Sequence, residues 1–107
     1  MDNHKLLTVE RSFSWGRLAC TVKVFEADLM KASDVASVAS LKENPPSNLV
    51  QKKLILNMDS LGIYIDNVEG VTFGPRLPNG HQTLIFVTDN NFSPLEKTQF
   101  LLFEVIP

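Results

Sequence analysis

Three carboxylates in this 107-residue sequence have the setting of chemistry-bearing groups. Glu10, Glu69 and Asp89 each follow or lie in an apolar run and are flanked by polar or small residues. With Asn90, Asn91 and backbone carbonyls they form an oxygen-rich donor set, which suits a hard cation such as calcium, a taker of about six to eight oxygens. Glu10, Glu69, Asp89 and Asn90 are therefore the metal-ligating candidates. Arg11, beside Glu10, carries a planar guanidinium that can hold a phosphate by two parallel hydrogen bonds. Each residue also has an ordinary structural role. A carboxylate at a strand end commonly accepts backbone N–H groups in a turn, and an arginine pairs with a neighbouring acid.

Other reactive side chains lack the company that catalysis needs. His4 is near the N-terminus and His81 lies in an Asn-Gly turn, and neither has a partner identifiable from sequence. Ser12, Ser14 and Ser93 lack the Gly-x-Ser-x-Gly elbow of an α/β-hydrolase. Cys20 opens an apolar strand, the place of a buried inert thiol. Gly70 and Gly74 flank a strand instead of opening a helix, so no phosphate-cradling loop is indicated. Phe13 and Trp15, next to Gly16, fit a hydrophobic corner at a hairpin bend.

Composition sets the frame around these candidates. The length is that of one domain, and 44% hydrophobic with 21% charged residues is a globular balance. Ten Lys and Arg against twelve Asp and Glu give a net charge of −2, so no nucleic-acid partner is expected. A lone cysteine makes no internal disulfide and no Cys-rich zinc site. Apolar runs of about five residues fall far short of the ~20 in a membrane span, so no membrane partner is expected either. Residues 1–5 lack the apolar run of a secretory signal, which makes the default expectation cytoplasmic.

The elements that would position the candidates read as strands. Period-two alternation and β-branched content mark 5–13, 20–27, 53–58, 67–74, 83–88 and 99–106, with Val71 and Phe73 placed on the face of Glu69. Pro78-Asn79-Gly80 is a hairpin signal between the fourth and fifth. Val35, Val38 and Leu41 give 33–41 the spacing of a short helix with Ser33 or Asp34 as cap, although its alanine and serine suit an exposed loop almost as well. Pro45-Pro46 ends whatever forms there.

Two stretches repeat. LLTVERSFS (6–14) matches IFVTDNNFS (85–93), and CTVKVFEAD (20–28) matches TQFLLFEVI (98–106) in the same order. The pattern is a repeated hairpin. Glu26 and Glu104 fall at equivalent positions, which argues for a structural role on an exposed strand face. The second unit has its own preceding strand, and the matching strand of the first would precede residue 1. The piece therefore leaves strand edges that must be covered or closed, so the expectation is either the tail of a longer protein or homo-oligomerisation through those edges.

NVEGVTFGP (67–75), TLIFVTDNNFSP (83–94) and TQFLLFEV (98–105), preceded by LLTVERSFS, resemble the C-terminal portion of the phytase-like family, also called the "esterase-like activity of phytase" domain. The resemblance runs over about 6–105. It implies an all-β fold of antiparallel strands amounting to about one and a half blades of a β-propeller, so that 1–107 is a single partial-propeller domain. It implies strands running outward from a channel, with the three carboxylates near its end. It further implies a metal-assisted phosphoester hydrolase, with Glu69 and Arg11 as catalytic residues, calcium as cofactor, a phosphoester small molecule as substrate, and relatives that are often exported. The family pattern has Asn-Phe-Glu-Gly where Asn67-Val68-Glu69-Gly70 stands, and a second aspartate where Asn90 stands.

Three readings follow from the sequence. The chain is a calcium-dependent phosphohydrolase that fails when Glu69 becomes Gln, a non-catalytic module that oligomerises through its sheet edges, or a truncated remnant without activity.

Overall fold

The structure, a computed structural model, describes every residue except 1, 2, 15–18, 91, 93 and 96. The side chains of Ser14, Ala19 and Cys20 also lie outside what it describes. The expected corner at Trp15 and Gly16, the serines at 14 and 93, Asn91 and the Cys20 thiol thus fall outside the described residues.

The described chain is all-β. Six strands run β1 (Lys5–Ser14), β2 (Ala19–Asp28), β3 (Gln51–Asn57), β4 (Val68–Phe73), β5 (Thr83–Thr88) and β6 (Phe100–Glu104). Each lies within two residues of its expected bounds, because alternation of apolar and polar side chains reports the strand period directly. The single helical element among the described residues is a 3-10 turn, Met58–Leu61.

The strands form two three-stranded sheets, β1-β2-β3 and β4-β5-β6. β3 lies antiparallel to β2, and β5 lies antiparallel to both β4 and β6. The repeated hairpins are thus β1–β2 and β5–β6. The first sheet adds its third strand beside β2, and the second adds its own beside β5.

By contacts the chain divides into two compact units, 1–10 with 23–57, and 11–22 with 58–107. The first buries Val24 and Ala27. There Val24 pairs with Leu56 and Phe25 with Leu54, so the register shifts between Val24 and Phe25. The second buries Val22, Met58, Val68, Leu84 and Phe86, together with Asp66, Thr83 and Thr88. In its sheet, Phe86 opposes Val71 on one side and Leu101 on the other, and its ring meets that of Phe103 edge-on at 5.5 Å between centroids. That geometry suits aromatic quadrupoles. β5 carries apolar residues on both faces, with Leu84 and Phe86 buried and Ile85 and Val87 half-buried, as befits a central strand.

No helix forms over 33–41. The Asp34 carboxylate accepts the Ala36 N–H at 2.9 Å, and the Val38 N–H reaches the Val35 carbonyl at 3.0 Å, a single turn that does not continue. Asp34 thus makes a cap-like bond, whereas Ser33, the other cap candidate, is drawn elsewhere. Its N–H donates to the Asn48 carbonyl at 2.9 Å and its Oγ accepts the Asn48 N–H at 3.0 Å. Short polar side chains that bond the backbone compete with helix, and here they prevail.

A second difference concerns Glu69. Val68 pairs with Thr88 but Gly70 pairs with Val87, leaving Glu69 as the extra residue of a bulge. The bulge resets the alternation, so the expected sharing of a face by Glu69, Val71 and Phe73 does not hold. Val68 and Val71 instead take equivalent positions, opposite Thr88 and Phe86.

Candidate functional site

The β4 bulge is where sequence candidates come together. Glu69 is exposed and unpaired in the ladder, since a bulge re-aims the extra side chain. Arg11, on β1, reaches it with Nη1 3.5 Å from Glu69 Oε1. Asn67, just ahead of β4, closes a triangle. Arg11 Nη1 donates to Asn67 Oδ1 at 2.5 Å, and Asn67 Nδ2 donates to Glu69 Oε1 at 3.0 Å. All three residues belong to the second unit.

Electrostatically the cluster is a guanidinium beside one carboxylate, bridged by an amide. The Arg11 and Glu69 side chains are 42% and 38% exposed, so water reaches both and an anion can approach the guanidinium. An exposed pair of this kind contributes about 0.2–1 kcal/mol to stability, so the fold does not depend on it.

The other candidates have partners or settings of their own. Glu10 belongs to the first unit and takes the Lys52 ammonium at 2.5 Å, while Lys52 also lies 4.5 Å above the Phe25 ring. Asp89 is exposed just past β5. Asn90 Oδ1 accepts the Phe92 N–H at 3.0 Å, a turn in which Phe92 takes a φ of 57°. Among the described residues no three His, Cys, Asp or Glu groups lie together in a way that could hold a metal ion. Glu69 and Asn90, in the second unit, each spend an oxygen on another partner, as does Glu10 in the first. A cleft of about 700 Å³, lined by Asp28, Lys31, Ser47 and Gln51 among others, lies in the first unit and includes none of the candidates.

Two polar groups escape sequence reasoning. His81 Nδ1 lies 2.5 Å from Glu104 Oε1, and Asn79 Nδ2 donates to the same oxygen at 2.8 Å. Hydrogen bonds from Asn79 and then from His81 hold the Glu104 carboxyl below the usual glutamate range. Its repeat partner Glu26 pairs with Lys5 at 3.1 Å. The second group is Asn67, whose neighbour Asp66 is buried. The sequence signals for Asn67 are its match to the first residue of the Asn-Phe-Glu-Gly pattern and its place two residues before Glu69, a spacing that in a regular strand would have put the pair on one face.

A family model described as "Phytase-like: Esterase-like activity of phytase" matches residues 1–92. The match takes in Arg11, Asn67 and Glu69, while β6 lies beyond it. No curated protein and no solved structure gives a match.

Proposed function

The chain belongs to the phytase-like family, and on that premise we propose that it binds and hydrolyses a phosphoester at the Arg11–Asn67–Glu69 cluster. The observation that carries this reading is the convergence of Arg11 and Glu69 at the β4 bulge. Arg11 is the anion anchor. An incoming phosphate competes with Glu69 and Asn67 for its guanidinium, because both now accept from or lie against Nη1. Once displaced, the Glu69 carboxylate is free to take a proton from water as that water attacks phosphorus. The P–O ester bond breaks with its electron pair leaving on the ester oxygen, and the proton taken up by Glu69 passes, directly or through water, to that alkoxide, so that alcohol and inorganic phosphate are released and Glu69 is again a carboxylate. A bound calcium would supply charge neutralisation at the phosphate.

The test is release of inorganic phosphate from a phosphomonoester by the full chain, with calcium and with chelator, alongside Arg11→Gln and Glu69→Gln. Turnover lost in both variants supports the reading. Turnover that survives Arg11→Gln overturns it.

A second reading, self-association, is favoured by a separate observation. β4 and β6 end the sheet order of the second unit, and on β6 Phe100 and Leu102 are 74% and 64% exposed. Apolar edge strands of this kind invite pairing. Sedimentation of the purified chain decides it, since a discrete dimer or ring favours closure by copies and a monomer at all concentrations removes the reading.

A further inference from the structure

Asp66 is the one carboxylate among the described residues that the fold buries, at 5% exposure. Burial of such a group is costly unless its oxygens are hydrogen-bonded, and here they are. Oδ1 accepts the Asn67 N–H at 2.9 Å, and Oδ2 accepts the Lys97 N–H at 2.7 Å with the Tyr64 hydroxyl 3.4 Å away. The Asp66 N–H donates to Gln99 Oε1 at 2.8 Å, and Gln99 Nε2 donates to the Tyr64 carbonyl at 2.9 Å. The Gln99 N–H in turn donates to Thr88 Oγ1 at 2.7 Å, and that hydroxyl donates to the Lys97 carbonyl at 2.8 Å.

The junction has two ends with different consequences. At the Thr88 end it fastens residues 97–99 to β5. At the Asp66 end it fixes the backbone of Asn67, whose side chain bridges Arg11 and Glu69. The neighbours of the carboxylate are donors, an N–H on each oxygen and the Tyr64 hydroxyl beside Oδ2, so the site calls for an acceptor on each side. An asparagine would turn an NH₂ group toward one of them.

The geometry points to Asp66 as the positioning residue of the phosphate site: it holds Asn67 so that the amide sets Arg11 and Glu69 in register. The inference rests on the reading of Arg11 as the phosphate anchor. Asp66 itself does not touch the ligand.

The experiment compares Asp66→Asn with Thr88→Val, which loosens the same junction by removing the hydroxyl that ties Lys97 and Gln99 to β5, with no hydrogen bond to Asn67 lost, although Thr88 stands opposite Val68. Each full chain is titrated with inorganic phosphate, its unfolding midpoint is taken, and the Asn67 side-chain amide and Arg11 guanidinium signals are followed by NMR. Loss of a hydrogen bond that positions the site is expected to weaken phosphate binding about tenfold in Asp66→Asn. The Asn67 and Arg11 signals should move as well. Thr88→Val is expected to lower the midpoint while leaving affinity within about twofold of wild type. If both variants lose affinity in proportion to their midpoints, the role is structural and the inference falls. It falls equally if Asp66→Asn leaves the Asn67 and Arg11 signals in place. Should Asp66→Asn not fold, the scalar coupling across the Asn67 N–H to Asp66 carboxylate bond in wild type decides, since its absence removes the positioning contact. A wild type that takes no phosphate overturns the anchor reading, while the side-chain signals still settle the role of Asp66.

Discussion

Arg11 Nη1 lies 3.5 Å from Glu69 Oε1, although one residue is on the first strand and the other is the bulged residue of the fourth. The same Nη1 donates to Asn67, so the guanidinium is held from two sides while remaining open to water. A pair built for stability would be doubly bonded in parallel. This one suits exchange, since an anion can replace the carboxylate without disturbing the core.

A double-mutant cycle on Arg11→Gln and Glu69→Gln separates the two roles. Urea unfolding is expected to give a coupling energy of about 0.2–1 kcal/mol, the range of exposed pairs. Phosphate binding is expected to vanish in Arg11→Gln and to tighten in Glu69→Gln, because the competing carboxylate is gone. Weaker binding in Glu69→Gln would mean that the carboxylate helps to hold the anion site open and does not compete for it.

Calcium is the next point of decision. Glu10 is engaged by Lys52, Glu69 by Arg11 and Asn67, and Asn90 by the Phe92 N–H. A cation would have to displace several of these contacts to gather an oxygen shell. Chelator is therefore expected to leave both phosphate affinity and the unfolding midpoint unchanged. A midpoint that rises with calcium, saturating as a single site would, would show that the side chains rearrange around the ion.

What the sequence makes legible here is whatever repeats at short range. Val22 and Val24 alternate along β2, and the run 83–88 reads as a central strand, so every strand is visible. Over 33–41, where the sequence allows a short helix or a loop, the loop forms, and Ser33 finds Asn48, a partner no helical spacing reveals. The bulge is hidden for a related reason. Alternation through Val68-Glu69-Gly70-Val71 presumes an unbroken ladder, and only the pairing with Thr88 and Val87 shows the slip. Arg11 and Glu69 were each identifiable as candidates by type. Their meeting, and the bridging amide of Asn67, depend on tertiary placement that composition and period do not encode.

The Glu104 carboxyl yields a pH prediction with a definite sign. Its folded value is depressed, first by the Asn79 hydrogen bond and then by His81. A depressed carboxylate contributes stability that is present above its unfolded value and is lost as pH falls through the lower folded one. The contribution is thus intact near neutrality and disappears on the acid side of an ordinary glutamate. Glu104→Gln is expected to reduce stability at pH 7 and to flatten the acid limb of a midpoint-against-pH curve. Identical acid limbs for the two proteins would show that the contacts at Glu104 do not favour its charged form.

Gly74 tests how closely β4 leads into the turn before β5. A Cβ built there would lie 2.5 Å from Thr83 Oγ1 and 3.1 Å from Ile85 Cδ1. Thr83 is buried, and its hydroxyl donates to the Pro75 carbonyl at 2.6 Å, so it has little freedom to yield. The surrounding backbone is also tied down, because the Gly74 N–H donates to the Thr83 carbonyl at 3.0 Å and Gln82 Nε2 donates to the Gly74 carbonyl at 2.8 Å. Gly74→Ala must therefore turn the hydroxyl away or shift the strand, and is expected to cost about 1–3 kcal/mol in urea unfolding. Because the nearest obstacle is the hydroxyl, Thr83→Ala should relieve part of the clash. The double variant is then expected to be less destabilised than the sum of the singles, by roughly 0.5 kcal/mol or more, as for residues in contact. Strict additivity would place the strain in the backbone and remove Thr83 as its cause.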